Sequence, residues 1–182
     1  GHSIFVNSVE KSNTNAINLI ESGVESLYFI IPLELISIEA LLENIDLSHI
    51  PIYFETLFIS EKFTEKLQQY SAKKNTKFYI LNDPIGQLSK SGNWFENLKS
   101  DIENLNKILV SGNELKGVVS VDLGIFQNAG SSMVQQLAYT LAHVNEYLNL
   151  FNSKPIKSIV FKVSVGGNYF FEIAKIQALR LL

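Results

Sequence analysis

Seven polar residues of this 182-residue chain stand where short apolar runs give way to helical patterns: Glu55, Asn82, Asp83, Asp122, Gln127, Ser164 and Asn168. Side chains of these types hydrogen-bond ligands, and the carboxylates among them can also move protons. Taken alone, each reads first as a helix cap or a solvated turn, because Asn, Asp and Ser favour such places for local backbone reasons. The Gly166-Gly167-Asn168 turn is more specific. Glycines ahead of a helix N-terminus can expose backbone N–H groups to an anion such as phosphate, or simply let the chain turn tightly. Glu172 and Lys175, three residues apart, and Arg180 beyond them read either as a face that contacts a charged ligand or as a solvated ion-paired surface.

Other chemistries find no support. A Ser-His-Asp arrangement needs a histidine near a strand end. His2 lies in Gly1-His2-Ser3, which reads as a tag remnant; His49 precedes a strand; His143 falls mid-helix, as a partly exposed packing residue. With no cysteine there is no disulfide, thiolate nucleophile or Cys-bearing zinc site, and no HExxH or EF-hand spacing occurs. No metal site is therefore expected. Fifteen Lys+Arg against eighteen Asp+Glu give a formal charge of −3 without a basic stripe, which argues against nucleic acid. No run approaches the ~20 apolar residues of a membrane-spanning helix. A cytoplasmic protein is the expectation, since 46% apolar and 18% charged residues also suit a packed domain.

Five apolar, β-branched or aromatic runs predict strands at 26–32, 50–54, 77–81, 117–121 and 158–163. Helical spacing predicts helices at 34–44, 60–73, 93–110, 129–151 and 169–182, with Gly112 closing the third and a polar loop over 84–92. Residues 4–24 read as a leading helix. About five βα units with parallel strands suit an α/β chain, either an open doubly wound sheet or part of an eight-stranded barrel. Pro32-Leu33-Glu34 after the first strand offers neither Gly-x-Gly-x-x-Gly nor a Walker sequence, which lowers the nucleotide-fold reading.

Two stretches carry more. Val121-Asp122-Leu123-Gly124-Ile125-Phe126-Gln127-Asn128-Ala129-Gly130 continues into Gln136-Leu137-Ala138-Tyr139-Thr140-Leu141-Ala142, and Gly166-Gly167-Asn168-Tyr169-Phe170-Phe171-Glu172-Ile173-Ala174-Lys175 leads to Ala178 and Arg180. Both resemble the methylmalonyl-CoA mutase family, whose patterns run Q-x-A-G…LAYTLA and G-x-N-[FY]-F-x-E-[IV]-A-K-x-R-A-x-R. Asn82-Asp83 fits the same alignment, and Phe5-Val6-Asn7 through Leu27 is similar to the family's small-subunit opening. The resemblance runs from about Phe5 to the last residue.

It implies a partial TIM-type (β/α) barrel: residues 4–182 as the N-terminal part of a CoA-substrate barrel domain, with the cobalamin domain absent. It also implies an adenosylcobalamin-dependent holoenzyme that interconverts methylmalonyl-CoA and succinyl-CoA. The ligand side would hold Asn82, Asp83, Asp122, Gln127, Asn168, Lys175 and Arg180. Where catalytic members have Tyr-His, this chain has Gly124-Ile125, and an isoleucine can neither donate a proton nor hydrogen-bond a thioester. Gln177 replaces an arginine, and Asp46-Leu47-Ser48-His49 has the wrong spacing for the cobalamin-ligating Asp-x-His-x-x-Gly. These losses resemble the non-catalytic small subunit of heterodimeric members, which implies a large-subunit partner and a CoA ester held in the holoenzyme. A barrel piece with uncovered strand edges is expected to self-associate. A competent mutase chain and an open α/β module binding an anion or nucleotide are the alternatives.

Overall fold

The structure, a computed structural model, describes residues 2–47, 50–111, 115–151 and 159–181. Four strands, β1 (Ser3–Phe5), β2 (Leu27–Ile31), β3 (Ile52–Thr56) and β4 (Phe78–Leu81), pair in parallel in that order. A second parallel pair joins β5 (Val119–Asp122) to β6 (Ile159–Lys162). The two sheets meet at β4 and β5 through a bridge between Tyr79 and Gly117, and the amide of Ser120 donates to the Asn82 carbonyl at 3.0 Å. Among the described residues the strand order follows the sequence without the reversal that marks a doubly wound sheet.

Helices connect the strands: α1 (Val9–Glu21), α2 (Ile38–Leu41), α3 (Glu61–Lys74), α4 (Pro84–Ser91), α5 (Leu98–Ser111), α6 (Leu123–Asn128), α7 (Met133–Leu150) and α8 (Tyr169–Leu181). Most begin where a small polar side chain accepts an otherwise unpaired backbone N–H. Ser8, Ser37, Ser60, Asp83, Asp122 and Ser132 do this, the last in a reciprocal box with Gln135. Asn75, at φ 52°, ends α3 in the left-handed region.

Strand side chains alternate between two faces. Leu27, Phe29 and Ile31 of β2, Ile52 and Phe54 of β3, and Phe78 and Ile80 of β4 are buried in the main core with Phe63 and Leu67 of α3, Leu105 and Ile108 of α5, and Tyr147 of α7. Phe54 is central, with ring centroids 5.8 Å from Phe29 and 5.3 Å from Phe78. The opposite face is more polar. There Tyr28, Tyr53 and Tyr79 are register partners, stacked at 6.4 and 4.7 Å. Lys162 of β6 lies 5.2 Å over the Tyr28 ring of β2, so the sheet curls until non-neighbouring strands meet.

Several elements depart from sequence expectation. The leading helix expected over 4–24 is a strand followed by α1, so the described residues form six strands where five are expected. Ser3, read as tag, begins β1. Ile4 is buried in the core, and β1 pairs from Ser3 to Phe5 with β2; three residues are too few for a periodicity to register. The helix expected at 34–44 shortens to four residues. The polar loop expected after Leu81 is α4, because Asp83 caps it and Pro84 fits its first turn. α5 starts at Leu98 rather than 93, since the Asp101 carboxylate draws back the N–H groups of Phe95 and Glu96 at 2.9 and 3.2 Å. Gly1, Ser48, His49, Gly112, Ser158 and Leu182, which several of those expectations touch, lie outside the described residues.

Phe54→Ala is expected to destabilise the chain by about 3–5 kcal/mol through the cavity it leaves. Leu35→Ala, at a position 92% exposed, should change stability by less than about 0.5 kcal/mol. Urea unfolding of both variants checks the difference.

Candidate functional site

Parallel strands place the residues that follow them at one end of the sheet, and there a cleft opens among Tyr28, Glu55, Asp83, Asp122, Ile125 and Lys162. Its cavity is about 60 Å³. That admits a few water molecules, whereas a drug-sized ligand needs roughly 300–1,000 Å³.

Lys162 dominates the cleft, and sequence reasoning missed it. It occupies the last position of β6, opposite Asp122 of β5. Its Nζ lies 3.2 Å from Asp122 Oδ2 and 3.3 Å from Glu55 Oε2. The Tyr28 hydroxyl donates to the same Glu55 oxygen. Burial works against the Lys162 ammonium, but Tyr28, Glu55 and Asp122 outweigh it and raise its pKa above the ordinary lysine value. Burial, then Glu55, pushes the Tyr28 phenol upward. One cation thus answers two carboxylates, and the signal for it in sequence was a lysine ending an otherwise apolar strand run.

The predicted residues divide between scaffold and cleft. Asn82 is buried and ties three strands together: Oδ1 accepts from the Thr56 hydroxyl at 3.3 Å and Nδ2 donates to the Val118 carbonyl at 3.0 Å. Asp122 caps α6 through the Gly124 amide at 2.7 Å while facing Lys162. Asp83 caps α4 through the Gly86 amide at 2.8 Å, and the same oxygen accepts from the buried Tyr147 hydroxyl at 2.7 Å. Burial, then Asp83, holds the Tyr147 phenol well above its usual range. A Cβ on Gly86 would stand 2.1 Å from the Asp83 carboxylate, so a larger residue there would push that carboxylate out of its cap.

His143, expected to be partly exposed, is buried at 6% exposure beneath Asp83, stacked on Tyr147 and edge-on to Phe126. Its Nε2 lies 3.0 Å from Asp83 Oδ1, within ion-pair range, yet the pair is not aligned as a hydrogen bond. The imidazole does not line the cleft, because Asp83 stands between.

The glycine turn before α8 does not present a vacant anion site. Glu172 turns back so that its carboxylate takes the Gly166 backbone N–H. Lys175 is 2% exposed, with Nζ 2.6 Å from Glu172 Oε2, donating to the Ser164 carbonyl at 2.8 Å and to Gln136 Oε1 at 3.1 Å. The hydrogen bond from Lys175 holds the Glu172 carboxyl below its usual range. Lys175 therefore joins α8 to α7 and the β6 turn rather than reaching for a ligand. Asn168 accepts the Glu172 amide with its carbonyl at 2.9 Å, and Arg180 is exposed in the last turn of α8. Gln127 is half-buried, its Oε1 without a hydrogen-bond partner.

Gly124 and Ile125 lie in the first turn of α6, just after β5. A Cβ on Gly124 would stand 2.6 Å from Ser164 Oγ and 2.8 Å from Asp122 Oδ1, so a larger residue in this first turn of α6 would displace those side chains. Ile125 presents an apolar side chain to the cleft. Among the described residues no group of three or more His, Cys, Asp or Glu is placed to hold a metal ion, and no helix is long and apolar enough to cross a membrane.

These features define a parallel α/β protein of alternating βα units whose polar residues gather at the carboxyl ends of the strands. Residues 34–182 match the family model described as methylmalonyl-CoA mutase, and the chain belongs to that family. It is 27% identical over a 192-residue alignment to the methylmalonyl-CoA mutase small subunit of Porphyromonas gingivalis, covering 96% of this chain and 31% of that protein. Methylmalonyl-CoA mutase of Cereibacter sphaeroides is 31% identical over 93 residues, 48% of this chain and 12% of the relative. Its Rhizobium meliloti counterpart is 39% identical over 62 residues, 31% and 9% respectively. The chain thus spans about a third or less of the length of these relatives.

Two outcomes follow. Tyr28 and Lys162 both keep their protons more tightly when folded, so their contribution is complete below about pH 10 and disappears as pH rises through the shifted values. Urea midpoints should therefore fall above about pH 10, and Tyr28→Phe should make that fall shallower; a flat alkaline profile contradicts the arrangement. Lys175→Met should cost about 3–5 kcal/mol by stranding Glu172, and the Lys175→Met/Glu172→Met double variant should recover most of it. Chemical denaturation at neutral pH reads both.

Proposed function

We propose that this chain is barrel-domain sequence from the non-catalytic small subunit of an adenosylcobalamin-dependent methylmalonyl-CoA mutase. On this reading it supports a catalytic large subunit in a heterodimer, in the cytoplasm, while the partner holds the CoA ester and carries out the methylmalonyl-CoA/succinyl-CoA isomerisation. The observation that carries it is the Gly124-Ile125 pair. At the position where a proton-transferring pair would face the substrate, one residue has no side chain and the other is an aliphatic wall. The name of the Porphyromonas gingivalis relative supports the subunit assignment.

Other observations fit. Among the described residues, six parallel strands in sequence order, curled until Lys162 reaches β2 and β3, support a partial barrel over 4–182. Lys162, the lysine between the strand ends, is already met by carboxylates from two sides, which suits a site that binds phosphate or carboxylate weakly. Among the described residues the donors do not fit cobalamin: the nitrogens of His143 are buried beneath Asp83, so on this reading the cofactor is held elsewhere in the assembly. Cobalamin would supply the radical chemistry of the isomerisation, and no residue described here is assigned a step in it. Exposed Tyr169, Phe170 and Phe171 on α8 support self-association of the chain without its partner, read as a mass above one chain by light scattering.

Co-expression with the cognate large subunit tests the reading. The two should co-purify and show mutase turnover that depends on the large subunit, whereas this chain with adenosylcobalamin alone should show none, even as the Ile125→His variant. Turnover without a partner, or failure to form a complex, would overturn it.

A further inference from the structure

A groove at the rim of the strand ends adjoins the Lys162 cleft, sharing Leu57 and Phe95 with it, but has a chemistry of its own. It encloses about 330 Å³ between the β2–α2 loop, with Pro32, Leu33 and Glu34, the β3–α3 loop at Leu57, and the segment before α5 at Phe95 and Glu96. Leu33 is 65% exposed and Leu57 42%, and Leu35, two residues further along the same loop, is almost entirely in water. Single exposed leucines are ordinary, but three on adjoining loops around a groove mark an interaction surface.

The charge lining this groove has one sign. Glu34, Glu96 and Asp101 line the groove, and no Lys, Arg or His does. Two of the carboxylates are engaged by the chain itself. Asp101, buried, accepts the Phe95 and Glu96 amides, which fixes that wall, and burial raises its pKa. Glu34 accepts from the Ser60 hydroxyl at 2.7 Å, which ties the β2–α2 loop to the start of α3. Glu96 stands exposed on the fixed wall. Such a rim repels phosphates and anionic lipid, and its preset walls reduce the ordering cost of binding.

We propose that this groove docks a segment of another polypeptide that presents Lys or Arg beside aliphatic side chains. The aliphatic groups cover Leu33, Leu35 and Leu57, and the cation meets Glu96 and the remaining acceptor capacity of Glu34. A polypeptide fits better than a small amine because the leucines extend past the enclosed volume, out to Leu35. The inference is independent of the subunit reading, since the groove has the same chemistry in a chain of either role.

The test titrates the ¹⁵N-labelled 182-residue chain with three synthetic peptides of equal length: one of leucine and lysine, one of leucine and glutamate, one of serine and lysine. The leucine–lysine peptide should bind saturably, shift the amides of Leu33, Leu35, Leu57 and Glu96, and weaken with added salt; the other two should bind at least tenfold more weakly. Leu33→Ser and Glu96→Lys, both at exposed positions that leave the core intact, should each lower the affinity at least fivefold without changing the rest of the spectrum. Equal binding of the leucine–glutamate peptide, shifts confined to other surfaces, or affinity indifferent to both variants would overturn the proposal. So would self-association that Leu33→Ser abolishes, which assigns the groove to a second copy of the chain.

Discussion

A half-buried ammonium on the inner face of a parallel sheet is tolerable only where carboxylates meet it, and Lys162 is met by two. Glu55 comes from β3 and Asp122 from β5, while the Tyr28 phenol from β2 shares the Glu55 oxygen. The group therefore spans strands that no ladder joins directly. It sets how far the sheet curls, since β6 must approach β2 and β3 for Nζ to reach them. It also decides what the strand ends can do, because a cation engaged from two sides attracts an incoming anion weakly.

The same pattern recurs deeper in the molecule. Lys175 and Glu172 are buried between α8, α7 and the β6 turn, and Asp83 gathers Gly86, Tyr147 and His143 under the start of α4. Charged residues that look like ligand contacts are instead turned toward one another. Such clusters add little net stability over well-packed apolar residues, but each has a narrow geometry, so they fix the register of helix on strand. α8 shows the consequence: with Glu172 and Lys175 inward, its aromatic residues Tyr169, Phe170 and Phe171 face out.

Much of this was legible in sequence where physics is local. The runs that became β2 to β6 announced themselves by apolar, β-branched composition, and α3, α7 and α8 by their stripes. β1 was invisible because three residues carry no period and depend on β2 for their ladder. α4 hid behind its serines and Gly86, although Asp83-Pro84 is a helix-start signal. In the site, Asn82, Asp83 and Asp122 were picked out by their position after strands, but their partners were not. His143 finds Asp83 across 60 residues, and Lys162 finds Glu55 across 107, pairings that no local spacing encodes. The sequence leaves the Gly166-Gly167 turn open between an anion site and a plain tight turn, because Glu172, which takes the Gly166 N–H, is a turn of helix away.

On the proposed reading the carboxylates and the lysine at the strand ends are engaged with each other, and the CoA ester is held by the partner subunit. The direct measurement follows the Ile125 methyl and Lys162 side-chain NMR signals during titration of the chain with succinyl-CoA. The account predicts that neither signal moves up to millimolar ligand; saturable shifts at both, lost on Lys162→Met, would contradict it.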